Sequence, residues 1–179
     1  MTIVATPILT ETSTAEYLVS TAEARDALRL KAETAHLTRC VESVNKRIVE
    51  ATGYVPAGTP CTQDLDGGGL YLFLHYRPIV SITAIEDLTT QTTLDASEYE
   101  QRGAELDYVY PVGAWRRWAG GQQRFRVSYV AGTNTPPAVF RSIALAMISR
   151  EYDVGKEGAA PPMTAAEVDD LLSEYYRIG

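Results

Sequence analysis

The sequence predicts an α+β fold: a small helical bundle with an inserted antiparallel β module and a tethered C-terminal helix. Three observations lead there. Helix-period segments occupy the stretch before residue 53 and resume after residue 135, while period-2 patterning and glycine turns fill Tyr54 to Ala131 between them. The strands are bracketed by helices and do not alternate with them, which favours α+β over a repeating βαβ architecture. A Gly/Pro-bearing stretch, Gly155 to Pro162, then separates one last amphipathic segment from everything before it.

Each element has a local cause. Ser20-Thr-Ala-Glu23 is a capping box, in which the serine and glutamate side chains satisfy amides left orphaned at a helix start, and it opens a helix expected to run to about Leu30. A second helix follows from near Thr34. Leu37, Val41, Val44, Ile48 and Ala51 form one narrow apolar stripe along it, with Glu42, Asn45, Lys46 and Glu50 off the stripe, and Thr52-Gly53 ends it through a left-handed C-cap. In the β region Cys61 is expected in a loop, and Asp66-Gly-Gly-Gly69 as a flexible turn before the apolar run Leu70 to His75. Val80, Ile82 and Ala84 alternate with Ser81 and Thr83, with Pro78 at the first position of that strand, where no ladder bond is lost. Weaker strands are expected near Glu98–Gln101 and Glu105–Val109, and a long loop over Pro111–Gln123. From Arg124 to Ala131 the alternation is strict: Phe125, Val127, Tyr129 and Ala131 face one way, and Gly132 stops the strand. Thr135 is placed to cap the next helix with Pro136 and Pro137 in its first turn, and Ala138 to Tyr152 is apolar around most of its circumference. After the linker, Thr164-Ala-Ala-Glu167 is a second capping box, followed by Val168, Leu171, Leu172 and Tyr175 on one face. The organisation predicted is an arm over 1–16, a main domain over 17–153 with helices at 20–30, 34–52 and 136–152 and a β region at 54–131, then linker and helix over 154–179.

Composition bounds the function. With 179 residues the chain can bury roughly two thirds of its unfolded surface without disulfides or metals. A net charge of −7 argues against a protein whose main task is gripping a phosphate backbone. Met1 to Thr10 lacks a basic n-region and no stretch approaches a membrane span, so the expected setting is cytoplasmic, with Cys40 and Cys61 as reduced thiols and no membrane partner.

No catalytic signature emerges. His36 and Cys40 share a helix face and could in principle join Cys61 and His75 around a metal, but the spacing lacks the paired groupings that preorganise zinc. There is no Gly-x-Ser-x-Gly elbow. The Asp66–Gly69 turn precedes a strand and not a helix, so no helix N-terminus is offered to a phosphate. Acidic pairs such as Asp169 and Asp170, or Glu98 and Glu100, read as solvated faces.

The most distinctive local chemistry is Trp115-Arg-Arg-Trp118, joined through Gly120-Gly121 to Arg124 and Arg126. Aromatics interleaved with arginine can stack on bases and neutralise phosphates, yet the same pair of residue types anchors protein interfaces. In an acidic chain the protein interface is favoured. Eleven tyrosines point the same way, since each buried hydroxyl needs a partner, although half-buried sheet positions would also hold them.

The strand, glycine turn, double proline and apolar helix of Arg124–Tyr152 resemble the closing unit of the head-tail connector (adaptor) proteins of long-tailed double-stranded DNA bacteriophages. Leu18–Leu30, the helix end Ile48-Val-Glu-Ala-Thr-Gly53 and the strand Arg77–Ile85 agree in order, so the resemblance covers about residues 17–153. It implies a structural virion protein, not an enzyme and without cofactor or metal. Such proteins form a ring, commonly of twelve copies, beneath the portal vertex; they extend the DNA channel and present a platform to the next neck or tail protein. Double-stranded DNA would pass through without sequence-specific binding, past a bore dominated by carboxylates instead of Arg116 and Arg117. The implied location is the virion neck, with assembly in the host cytoplasm. On this reading Val168, Leu171, Leu172, Tyr175 and Tyr176 are candidates for portal docking, and Tyr71, Phe73, His75, Trp115, Arg116, Arg117 and Trp118 for a subunit or neck interface. Two other classes remain: a DNA-binding or packaging accessory module, which would retard duplex DNA with steep salt dependence, and a hydrolase using His36, Cys40, Cys61 and His75, which would carry stoichiometric zinc.

Overall fold

A computed structural model describes residues 8–9, 17–101, 108–112, 117–153, 164, 166–167 and 170. Two compact units emerge, and the chain passes from one to the other and back. A helical unit takes Ser13–Gly53 and Thr135–Gly179; a sheet unit takes Met1–Thr12 and Tyr54–Asn134. The β module is therefore inserted into a helical frame, as the patterning predicts.

Among the described residues the helical unit contains α1 (Thr21–Ala27), α2 (Ala35–Thr52) and α3 (Ala138–Tyr152). Ser20 caps α1, its hydroxyl accepting from the Glu23 amide at 3.2 Å, and the helix stops at Ala27, short of Leu30. Thr34 caps α2 in the same way through the Leu37 amide, and Gly53 closes it at φ 73°. Packing of α2 along α3 buries Leu37, Val41, Val44 and Ile48 with Phe140, Ile143, Ala144, Met147 and Ile148. Two members of the expected pattern change places. Ala51 is exposed, and Asn45, expected off the stripe, is fully buried. Asn45 hydrogen-bonds both backbone groups of Val19: its Oδ1 accepts from the Val19 amide (3.3 Å) and its Nδ2 donates to the Val19 carbonyl (2.9 Å). The carboxamide thus supplies the pairing that a neighbouring strand would give, and that is why a polar residue can lie in this core.

Helix α3 begins later than expected. Pro137, at φ −51° and ψ 130°, occupies the cap position without any side-chain cap bond, so Thr135 is not the cap. A proline disfavours helical backbone in the residue before it, so Pro137 holds Pro136 out of the first turn.

The sheet unit has a five-stranded antiparallel sheet, order β1-β2-β8-β4-β5, and a three-stranded one, order β3-β7-β6. The strands are β1 (Ile8–Leu9), β2 (Thr59–Leu65), β3 (Leu72–Phe73), β4 (Ile79–Asp87), β5 (Thr92–Thr93), β6 (Tyr99–Gln101), β7 (Tyr108–Pro111) and β8 (Phe125–Ala131). The strongest sequence signal occupies the centre: β8 pairs with both β2 and β4, and Phe125, Val127, Tyr129 and Ala131 are all buried. Gly132 ends it at φ 112°, where a Cβ would stand 1.9 Å from the Pro56 carbonyl oxygen.

Two strands correct the sequence reading. Cys61 lies in β2 opposite Tyr129, not in a loop. Thr59-Pro-Cys-Thr-Gln-Asp-Leu65 carries few strand-favouring side chains, and it is held by its ladder to β8 and by alternating burial. In β4 register shifts fall between Ile79 and Ser81 and between Ile82 and Ala84. Each bulge inserts a residue, so opposite Ala131, Tyr129 and Val127 stand Ile79, Ile82 and Ile85, a spacing of three. Val80 is turned outward and is 59% exposed.

The expected strand over 105–109 and the loop over 111–123 lie partly outside the described residues; of the second capping box, Thr164 and Glu167 are described. Their bonds are reciprocal: the Glu167 amide donates to Thr164 Oγ1 at 3.2 Å and the Thr164 amide to Glu167 Oε2 at 2.7 Å.

Candidate functional site

The exposed aromatic surface of the three-stranded sheet is built from Tyr71, Phe73 and Tyr108. Alternation along β3 sends Leu72 and Leu74 inward, where they are almost fully buried, and leaves Tyr71 and Phe73 outward, 43% and 62% exposed. Phe73 pairs in register with Tyr108, and the Tyr71 and Tyr108 rings lie 4.6 Å apart with Phe73 at 5.9–6.0 Å from each. Exposed Leu70 precedes the trio. Three mutually packed rings left in solvent form a continuous apolar patch, the type of surface that marks an interaction site.

This patch has a rigid backing. Gln63, buried in β2, accepts from the His75 amide at 2.9 Å and reaches the Phe73 carbonyl at 3.5 Å. The Tyr129 hydroxyl accepts from the Tyr76 amide at 3.1 Å. Side chains of the larger sheet therefore replace part of the ladder that two-residue β3 lacks. His75 itself is half-buried, its ring edge-on to Tyr76 at 4.8 Å. Gln63 escaped sequence reasoning because nothing local distinguishes a buried glutamine from a surface one.

The arginine-rich segment is more internal than its composition predicts. Trp118 is buried, donates from Nε1 to the Val109 carbonyl and packs edge-on against Phe125 at 5.0 Å. Arg124 grips Asp87 Oδ2 through Nε and Nη2 at 3.0 and 2.7 Å, and Arg126 makes a two-point contact with Asp64 at 2.8 Å. These two guanidiniums are thus matched by carboxylates, which disfavours a nucleic-acid role for them. The bonds from Arg124 hold the Asp87 carboxyl below the usual carboxylate range, against its burial. Trp115 and Arg116 lie outside the described residues, as do Val168, Leu171, Leu172, Tyr175 and Tyr176.

The glycine turn is fixed, not flexible. Asp66 Oδ1 accepts from the Gln123 amide, Gly67 N donates to Gly121, Gly68 N to Trp118, and Trp118 N to Gly69. A Cβ on Gly67 would meet the Ala119 carbonyl oxygen at 1.8 Å. That close backbone approach, and not phosphate binding, explains the glycine.

Beside this turn is a groove of about 390 Å³ walled by Leu94, Pro111, Val112, Trp118, Ala119 and Phe125, with Arg117 and Glu98 among its polar residues. Arg117 is exposed and has no ion-pair partner among the described residues.

The thiols and imidazoles do not form a catalytic set. Cys40 Sγ stands 3.9 Å from His36 Nε2 in the helical unit, and Cys61 is buried in the sheet unit. Burial pushes the Cys61 thiol up to about 12 and also raises that of Cys40, leaving both poor nucleophiles. Among the described residues no group of three His, Cys, Asp or Glu side chains could hold a metal, and no helix is long and apolar enough to cross a membrane.

With this geometry in hand, comparison with solved structures becomes informative. A chain in the virion of a native gene transfer agent (GTA) particle superimposes with a TM-score of 0.68 at 18% identity over 94% of both chains. The fold is shared with a virion chain. A chain in the neck of the native GTA particle, computed with C12 symmetry, gives 0.65 at 16% identity over 94% of this chain and 93% of that one. One in the neck of the empty particle, computed with C6 symmetry, gives 0.67 at 17% over 94% of both. At such identities the likeness establishes architecture. No protein-family model matches the sequence, and no curated protein matches it.

Proposed function

We propose that this protein is a structural component of the neck of a phage-like particle, forming a ring beneath the portal that joins capsid to tail and extends the DNA channel. The observation that carries the reading is an architecture shared over nearly the whole chain with chains from a particle neck, two of them in structures computed with C12 or C6 symmetry. An exposed aromatic patch on a pinned strand supports it, because a scaffold protein must hold a sticky surface in fixed geometry. The ring reading takes twelve copies as its expectation, with the portal on one side and the next neck or tail protein on the other. Its location would be the virion neck, after assembly in the host cytoplasm. No catalytic step is assigned. Double-stranded DNA would traverse a bore lined mainly by carboxylates, since like charge lets the duplex slide.

Within this reading residues 17–153 act as the connector domain, and 154–179 carry the portal-docking helix with Val168, Leu171, Leu172, Tyr175 and Tyr176. Mass measurement of the protein alone and mixed with portal rings tests the proposal. Self-association or a stable portal complex is expected; a monomer under both conditions sinks it. Deleting residues 155–179 should abolish portal binding while leaving the fold intact, and undiminished binding would remove the docking role.

A further inference from the structure

Resting on the ring reading, we infer that successive copies join by a knob and a groove: the aromatic face of Tyr71, Phe73 and Tyr108 on one copy seats in the groove walled by Pro111, Val112, Trp118 and Phe125 on the next. The occupant of the groove is a second copy of this chain.

Strand parity places the two patches on opposite faces of the three-stranded sheet. The register Leu72↔Val109 and Phe73↔Tyr108 in one pair, with Tyr99↔Pro111 and Glu100↔Tyr110 in the other, divides the side chains into two sets. Leu72, Val109 and Pro111 share one face; Phe73, Tyr108, Tyr110 and Glu100 share the other. Pro111 lines the groove, so groove and aromatic patch point away from one another.

Two different patches directed oppositely produce a head-to-tail contact. Such a contact cannot close as a two-fold dimer, and it continues until rotation closes a ring. Shape and charge agree with this. The groove's 390 Å³ falls within the roughly 300–1,000 Å³ of pockets that enclose compact apolar ligands, and its walls are mostly apolar or aromatic. Exposed Arg117 borders the groove, and exposed Glu100 stands on the aromatic face, so each copy would bring one charge to meet its opposite on the neighbour. A partner of unrelated sequence would explain either patch alone, but not their complementarity.

A cysteine pair tests this directly. In a Phe73→Cys, Val112→Cys variant both new thiols are solvent-accessible, whereas Cys40 and Cys61 are buried, so oxidised glutathione should join the new pair selectively. Expected is a reducible ladder of covalent multimers, while an equimolar mixture of the two single-cysteine variants stops at dimers. Independently, Glu100→Arg or Arg117→Glu should each weaken self-association at least about tenfold, and the double reversal should restore it. If the wild type assembles, alone or on portal rings, and no ladder forms and the double reversal gives no rescue, the knob-and-groove assignment is overturned while the ring reading stands. If the wild type stays monomeric in both settings, the ring reading falls and this inference with it.

Discussion

Replacing Asn45 with alanine should be among the most damaging single changes in the helical unit. The side chain is fully buried and serves both the amide and the carbonyl of Val19, itself 1% exposed. Truncation leaves two backbone groups without their partner. At about 1–3 kcal/mol for each unsatisfied buried group the loss sums to roughly 2–6 kcal/mol, with the lower half expected if water enters the space vacated. For a chain of this length each kcal/mol moves Tm by roughly 2–4 °C, so a fall of about 5–15 °C is expected. Urea unfolding followed by circular dichroism, with m unchanged, supplies the free energy. Lys46→Ala, one residue along and facing solvent, serves as control and should cost within about 0.5 kcal/mol. An Asn45→Ala variant no less stable than that control would refute the view that this carboxamide substitutes for a strand.

The other predictions divide between backbone, charge and thiols. Gly132→Ala and Gly67→Ala should each cost more than about 2 kcal/mol in denaturant unfolding, because the added carbon meets backbone oxygen at 1.9 and 1.8 Å. Gly58→Ala has open space and only its φ of +80° against it, so about 1–2 kcal/mol is expected. The Asp87 carboxyl is held below its ordinary value in the folded state. Its contribution, about 1.5–3 kcal/mol for hydrogen bonds to a charged group, should be present above pH ~4 and disappear as pH falls through the lower folded value. The stability gap between wild type and Asp87→Asn, measured from pH 7 to pH 3, should therefore narrow on the acid side; a gap that widens there contradicts the ion-pair account. Gln63→Ala should loosen β3, seen as faster amide exchange at His75, with the β2–β8 ladder unchanged. Native Cys40 and Cys61 should react with a thiol reagent only at the rate of opening, and immediate labelling of either would contradict their burial.

Legibility followed the range of the interaction. The β8 strand, the Ser20 and Thr34 starts and the Gly53 stop are dictated by residues within four positions of one another, and each stands where the sequence places it. The reading failed at Cys61, whose strand has little intrinsic propensity, and in β4, where period-3 isoleucines at 79, 82 and 85 suit a strand only once two bulges are allowed. Part of the candidate site was readable. Tyr71 and Phe73 alternate with Leu72 and Leu74, so the aromatic face is encoded locally, and the exposed positions show which of the two faces looks outward. Trp118 was misjudged as an interface residue because composition cannot distinguish a tryptophan that caps a core from one that awaits a partner.

The sequence alone determined the α+β class, the helix–sheet–helix order, the boundaries set by caps and glycines, and the absence of a catalytic motif, because these depend on chain-local periodicity and side-chain chemistry. Only the tertiary structure decided that Asn45 and Gln63 act as surrogate backbone, that Arg124 and Arg126 are matched to carboxylates, and that an aromatic knob and an apolar groove occupy opposite faces of one small sheet. Those relations join residues 10 to 62 positions apart, and the pairing of such distant groups is set by sheet register and packing, which no local pattern encodes.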